Sequence, residues 1–150
     1  MEIRNLKEED IELVIALTKN CEELVVERTS IYWLFSKFFS NTSFVAVENG
    51  DIIGLLLGLI DQTVNKTGFI HALGVSAKFR KKGIASALIE KFETAIQQLG
   101  GSKFCLTAVP ENTNATQFYE NRHFTEKTEI YKVGQKRIQF CKNIVPSGSQ

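Results

Sequence analysis

The segment that most constrains this chain runs from Phe69 to Leu99, where a strand-like pattern gives way to a helical one across a basic turn that contains a glycine. Phe69-Ile70-His71-Ala72-Leu73-Gly74-Val75 is an apolar run of strand length, and Lys78 to Lys82 closes it with charge. After the turn, Ile84, Leu88, Phe92 and Ile96 recur with Ala85, Ile89 and Leu99 beside them, which is the spacing of a long amphipathic helix. A helix that opens on such a turn is an anion site: its first N–H groups have no acceptor inside the helix, and its dipole places partial positive charge there. Gly83 lets a phosphate come close to the backbone, and a pyrophosphate would suit the site. The turn is neither G-x-x-x-x-G-K-[ST] nor G-x-G-x-x-G, so the nucleoside-triphosphate and dinucleotide fingerprints are both missing.

Around this unit the pattern predicts a strand at Ile3 to Leu6, then a helix that Asp10 can cap, with Ile11, Val14, Ile15 and Leu17 on one face. A second helix, Ile31 to Phe39, carries Trp33, Leu34, Phe35, Phe38 and Phe39, an aromatic set expected in the core and partly as a pocket wall. Phe44 to Val47 and Ile52 to Ile60 flank Asn49-Gly50, the strongest short-range signal for a hairpin. A strand at Lys103 to Val109, a short helix at Asn114 to Glu120 and a strand pair around Gly134 complete the order β-α-α-β-β-β-α-β-α-β-β. The expected fold class is α/β in the broad sense (α+β): one mixed, mostly antiparallel central sheet flanked by helices. Residues 1–145 read as one domain, and Pro146-Ser147-Gly148-Ser149-Gln150 as a flexible tail.

The 150 residues include 43% hydrophobic ones, enough for a single core, and 18 Lys+Arg against 17 Asp+Glu leave a net charge of +1. That balance argues against a nucleic-acid partner through Arg80 to Lys82 and against a disordered polyelectrolyte. Cys21, Cys105 and Cys141 are odd in number and lack C-x-x-C spacing, so neither a disulfide framework nor a thiolate cluster is expected; Cys105 reads as core. With His71 and His123 as the two histidines, no metal is expected. Met1 to Asn5 lack the apolar stretch of a signal peptide, and Ile52 to Ile60 is too short to span a bilayer; the expectation is a cytoplasmic protein with no membrane partner.

The turn Arg80-Lys81-Lys82-Gly83-Ile84-Ala85 resembles the [Arg/Gln]-x-x-Gly-x-[Gly/Ala] motif of the GCN5-related N-acetyltransferase (GNAT) superfamily. Two further segments strengthen the resemblance: the preceding strand end Leu73-Gly74-Val75, and the downstream block from Val109 through Asn112, Ala115, Phe118 and Tyr119 to Phe124. The element order agrees as well, so the resemblance covers nearly the whole chain. It implies acetyl-CoA as co-substrate, with Leu73, Gly74 and Val75 pairing the pantetheine arm. Arg80, Lys81, Lys82, Gly83, Ile84, Ala85 and Ser86 would cradle the pyrophosphate, and Asn112 and Ala115 would open the helix beside the cofactor. Gly74 would suit the bulge that splays this strand from the next one. Where relatives usually carry Gly-Phe, this chain has His123-Phe124, and the positive φ expected there suits histidine less well than glycine.

The implied chemistry is direct attack of an amine on a thioester in a ternary complex. By resemblance Tyr119 is the acid for the departing thiolate, and His71 stands where many relatives carry a glutamate base, an imidazole being suited to that task near neutral pH. Glu22, Glu23 and Glu27 compete for the base role through water. Tyr119 also reads as a half-buried aromatic and His71 as a hydrogen-bonded structural residue. Acceptor choice should fall to the N-terminal helices, where Glu27, Tyr32 and Trp33, with Arg28 nearby, would line a site for a small cationic amine. Thr29 to Trp33, Asn41 to Val45 and Phe69 to Val75 also resemble the corresponding pieces of diaminobutyrate acetyltransferases, which implies an amino-acid-like or polyamine-like acceptor. The alternatives are a protein N-terminus or lysine as acceptor and, in another class, a non-catalytic acyl-CoA-binding domain. A homodimer through the strand Lys136 to Ile144, read as an edge, is the expected assembly if there is one.

Overall fold

Strand β1 (Glu2–Asn5) leads through a 3-10 turn at Glu8–Asp10 into helix α1 (Ile11–Thr18), which is followed by α2 (Thr29–Phe38). Asn49 and Gly50 then take left-handed φ values of 52° and 82°, the pair of positive angles a two-residue hairpin needs, between β2 (Phe44–Glu48) and β3 (Asp51–Ile60). Next come β4 (Gly68–Val75), α3 (Ile84–Gln98), β5 (Lys103–Ala108), α4 (Thr113–Asn121), β6 (Glu126–Lys132) and β7 (Gln135–Asn143). The element order is the one expected from sequence. The computed structural model describes residues 1–21, 24, 27–132 and 134–144; Glu22, Glu23 and the expected tail 146–150 lie outside them.

The chain divides into two units. The first is Met1–Leu59 with His71–Ala95, where β1 pairs with β2 and β2 with β3, both antiparallel. Its core gathers Leu6, Val14, Leu17, Tyr32, Phe35, Val45, Leu55 and Leu57 between α1, α2 and one face of β3. The other face of β3 carries Gly54 and Gly58 at alternate positions. A Cβ on Gly54 would sit 3.2 Å from Ile84 Cγ2 and Leu88 Cδ1, and one on Gly58 would run into the Phe92 ring. Leu88 and Phe92 are fully buried, so the absent side chains let α3 press on the strand.

Asp10 does not cap α1: it is 3% exposed, and its carboxylate takes both guanidinium nitrogens of Arg4 at 2.8 Å and the Lys7 N–H at 2.8 Å. Burial alone would raise the Asp10 carboxyl, but the Arg4 and Lys7 bonds and their charges together hold it below the usual carboxylate value. The aromatic run on α2 is divided: Phe35 is buried, whereas Trp33 and Phe38 are 39% and 65% exposed and meet edge to face. They are therefore surface residues, not core.

The second unit is Ile60–Ile70 with the chain from Ile96 on. In it β4 pairs with β5 in parallel, as a strand–helix–strand crossover requires, while β5 with β7 and β7 with β6 pair antiparallel. The complete strand order is β1-β2-β3-β4-β5-β7-β6. Strand β7 is therefore flanked on both sides, and the expectation that Lys136 to Ile144 forms an edge is overturned: β6 is the edge, because the hairpin folds back outward. Cys105 and Cys141 are register partners on β5 and β7, and their sulfurs are bonded, contrary to the expectation of unpaired thiols. The two cysteines are 36 residues apart in sequence, and only the strand pairing brings them together.

Candidate active site

The first unit holds the strand end, the basic turn and the acceptor-side residues. On β4, His71 stacks its ring on Phe35, with centroids 5.3 Å apart and planes 19° apart, and places Nε2 3.0 Å from Glu27 Oε1. The next residue, Ala72, packs against the same α1–α2 cluster. His71 and Ala72 therefore both meet the α1–α2 cluster. His71 thus stands on the α2 side, where the carboxylate is. At Gly74 a Cβ would lie 2.6 Å from Cys21 Sγ and from Leu24 Cγ.

Tyr32 is 2% exposed and does not line a surface; its hydroxyl accepts the Glu27 N–H at 3.2 Å and so anchors the segment carrying the carboxylate. Trp33 remains at the surface beside Phe38. Glu27 and His71 are each about one-quarter to one-third exposed, with side-chain values of 24% and 30%, close enough to water to exchange protons.

Past Val75 the backbone is held by Ser76 N–H on Ile53 O and Ala77 N–H on Asn20 O, and Ala77–Phe79 forms a 3-10 turn. Lys81 and Gly83 then take φ values of 64° and 77°. The Gly83 carbonyl accepts the first helical bond, from Ala87 N–H at 3.0 Å, which leaves the N–H groups of Ile84 and Ala85 heading α3 with no acceptor inside the helix. Ser86 lies in the same first turn. A Cβ on Gly83 would meet nothing within 4 Å, so the backbone here faces open space, flanked by the exposed side chains of Arg80, Lys81 and Lys82. A cleft of about 650 Å³ lies beside the turn, between the end of α1, the start of β3 and Ser76–Arg80.

The second unit holds the downstream block. Asn112 is the N-cap of α4, its Oδ1 accepting the Ala115 N–H at 3.1 Å. Tyr119 is half-buried, its ring against Phe118, Phe124 and Phe140 at 5.4, 5.4 and 5.6 Å. His123 takes φ 69°, and the helix ends with His123 N–H on Glu120 O at 3.4 Å and Phe124 N–H on Tyr119 O at 3.2 Å. That is a Schellman end, with the Tyr119–Phe124 ring contact as its hydrophobic partner. Histidine thus adopts the left-handed turn that glycine would take more easily.

A family model described as the acetyltransferase (GNAT) family matches residues 11–124. The chain belongs to that family. The GNAT protein is an acyltransferase, and acetyl-CoA is its co-substrate. It is 32% identical to an acetyltransferase of Photorhabdus laumondii over 153 residues, which cover 97% of this chain and 96% of the relative. Its fold is similar to that of Naa20 from Chaetomium thermophilum, solved with a bisubstrate analogue, at a TM-score of 0.84 and 16% identity over 96% of this chain and 87% of that one. It is also similar to the diaminobutyrate acetyltransferase EctA of Paenibacillus lautus, solved with L-2,4-diaminobutyric acid and coenzyme A, at a TM-score of 0.75 and 19% identity over 95% and 94% of the two chains.

The residues of the GNAT turn fit the anionic part of that co-substrate. Open backbone at Gly83, unpaired helix N–H groups at Ile84 and Ala85, and three cations are the donor set a pyrophosphate needs. Among the described residues no group of three or more His, Cys, Asp or Glu is placed to hold a metal ion, and no helix is long and apolar enough to cross a membrane. The sequence named both Glu27 and His71 but not their pairing, nor the Phe35 stack. The two residues are 44 positions apart, and no local pattern spans that distance.

Proposed function

We propose that this GNAT protein acetylates the primary amine of a small amino-acid-like or polyamine-like molecule by direct transfer in a ternary complex. The observation that carries the reading is the Glu27–His71 pair, a carboxylate and an imidazole 3.0 Å apart, stacked on Phe35 and partly open to water. A carboxylate in that setting attracts an ammonium group, and an imidazole beside it takes the ammonium's proton near neutral pH.

When bound, acetyl-CoA supplies a thioester whose acetyl carbon bonds to the amine nitrogen while its C–S bond breaks. The backbone of Lys81 to Ser86 holds the pyrophosphate, and Leu73 to Val75 hold the pantetheine arm, as the family resemblance implies. His71 takes one proton from the ammonium and passes it to water. Tyr119 gives its hydroxyl proton to the departing thiolate and recovers one from the nitrogen as that nitrogen becomes an amide, so that one proton is released per turnover. Asn112 and Ala115 hold the start of α4, from which Tyr119 projects two turns on.

The test is thiol release from acetyl-CoA with diamines and amino acids in one arm and peptides with free N-termini in the other. Turnover of small amines with a Tyr119→Phe loss of about 100-fold in kcat and unchanged acetyl-CoA affinity supports the reading. Turnover of peptides alone moves the acceptor to a polypeptide, and acetyl-CoA binding without turnover of any amine leaves a binding domain.

A further inference from the structure

His71 offers two ring nitrogens to chemistry, and the structure distinguishes them. Nε2 lies 3.0 Å from Glu27 Oε1, and an ionised carboxylate only accepts, so in the neutral imidazole Nε2 carries the hydrogen and Nδ1 keeps the lone pair. The Phe35 ring stacked on its face holds the plane of the imidazole. Glu27 is itself held through its backbone by the hydroxyl of buried Tyr32.

We propose that Glu27 is a positioning residue that fixes the tautomer of His71, so that Nδ1 is the nitrogen that receives the amine's proton. The inference rests on the proposed acetyl transfer for its kinetic arm. Glu27 does not itself take the proton. It keeps Nε2–H, turns the ring, and faces the positive charge that the imidazole acquires when Nδ1 is protonated. Among the described residues, the titratable group hydrogen-bonded to His71 is Glu27, and Tyr32 lies one hydrogen bond further. Strand β4 carries no other titratable side chain. The same arrangement separates the two roles expected of Glu27 from sequence: a carboxylate engaged by Nε2 orients the base and is not the competing base acting through water.

The experiment has two arms on the full chain. In the first, nitrogen-15 spectra of the imidazoles, assigned with His71→Ala, are recorded above the imidazole titration range for wild type, Glu27→Leu and Glu27→Gln. The expected result is a single Nε2–H tautomer in wild type and in Glu27→Gln, whose amide oxygen still accepts, and a mixture in Glu27→Leu. In the second arm, Glu27→Leu lowers kcat about 10- to 100-fold with the acetyl-CoA KM unchanged, and Glu27→Gln recovers most of that loss. In a His71→Ala background, Glu27→Leu then adds nothing further, because the residue acts through the ring. The same tautomer population in wild type and Glu27→Leu would overturn the proposal, as would an equal loss in kcat with and without His71. If wild type turns over no amine while binding acetyl-CoA, the proposed function fails and the tautomer spectra alone decide the pairing. Circular dichroism of each variant excludes simple misfolding, and the backbone bond of residue 27 to Tyr32 is untouched by all of them.

Discussion

Gly83→Ala separates the two things this glycine does. Its φ of 77° is left-handed, and an L side chain in that region costs about 1–2 kcal/mol. Nothing lies within 4 Å of the added methyl, so no steric term adds to that. Gly50, with φ 82° and equally open surroundings in the β2–β3 hairpin, is the matched control: Gly50→Ala should lose the same stability. In a chain of this length each variant should melt about 2–8 °C below wild type. Affinity for acetyl-CoA should then divide them. A methyl on Gly83 stands in the open space a phosphate would enter, and losing one or more hydrogen bonds to a charged group costs about 1.5–3 kcal/mol, or roughly 10- to 150-fold in Kd. Calorimetric titration and a melting curve on the same samples make the comparison. If Gly83→Ala binds acetyl-CoA within twofold of Gly50→Ala, the phosphate is not at this turn and the site assignment is wrong.

Three other outcomes follow from the structure. Asp10 has a folded pKa below its unfolded value of about 3.9, so its contribution is complete above that value and is lost as pH falls through the folded one. Asp10→Asn should therefore cost about 1–3 kcal/mol at pH 7, with the gap to wild type closing as pH falls below about 4 in denaturant titrations; a gap independent of pH would refute the ion-pair account. His123→Gly relieves a left-handed residue at the end of α4, set against the greater chain freedom of glycine, and should raise Tm by about 1–2 °C. A lower Tm would mean that the His123 side chain contributes contacts of its own. Peptide mapping of protein purified without reductant should find Cys105 linked to Cys141 and Cys21 alkylated only after unfolding, and reduction should cost about 2–4 kcal/mol; alkylation of all three cysteines in the native protein would overturn the pairing.

Local rules carried the element order a long way. Asn49-Gly50 dictates its hairpin because few residue pairs take two positive φ values, and Gly83 followed by the Ile84–Leu88–Phe92–Ile96 stripe dictates a helix with a free, positive start. The turn Arg80 to Ala85 was legible for the same reason: its left-handed residues and the helix start after them are backbone geometry that a short stretch of sequence specifies. The short helix that carries Tyr119 was legible from its block, and the structure packs the Tyr119 ring against Phe124 and Phe140.

Misreadings arose where a residue's role depended on partners far away in the chain. Asp10 looked like a helix cap because caps are recognised from neighbours, yet Arg4 on β1 claims its carboxylate. Lys136 to Ile144 looked like an edge because a last strand often is one, whereas strand order is set by which hairpin folds outward. Tyr32 and Trp33 are adjacent and both aromatic, but helical geometry buries one and exposes the other.

The sequence by itself determined the strands and helices, the glycine turn that opens α3 and the family, since each rests on residues within a few positions of one another. Only the tertiary structure decided that Cys105 meets Cys141, that His71 stacks on Phe35, and that Glu27 faces Nε2 of that ring. Those facts need strands and helices to be placed side by side, and packing of the whole core, not any local preference, sets that placement.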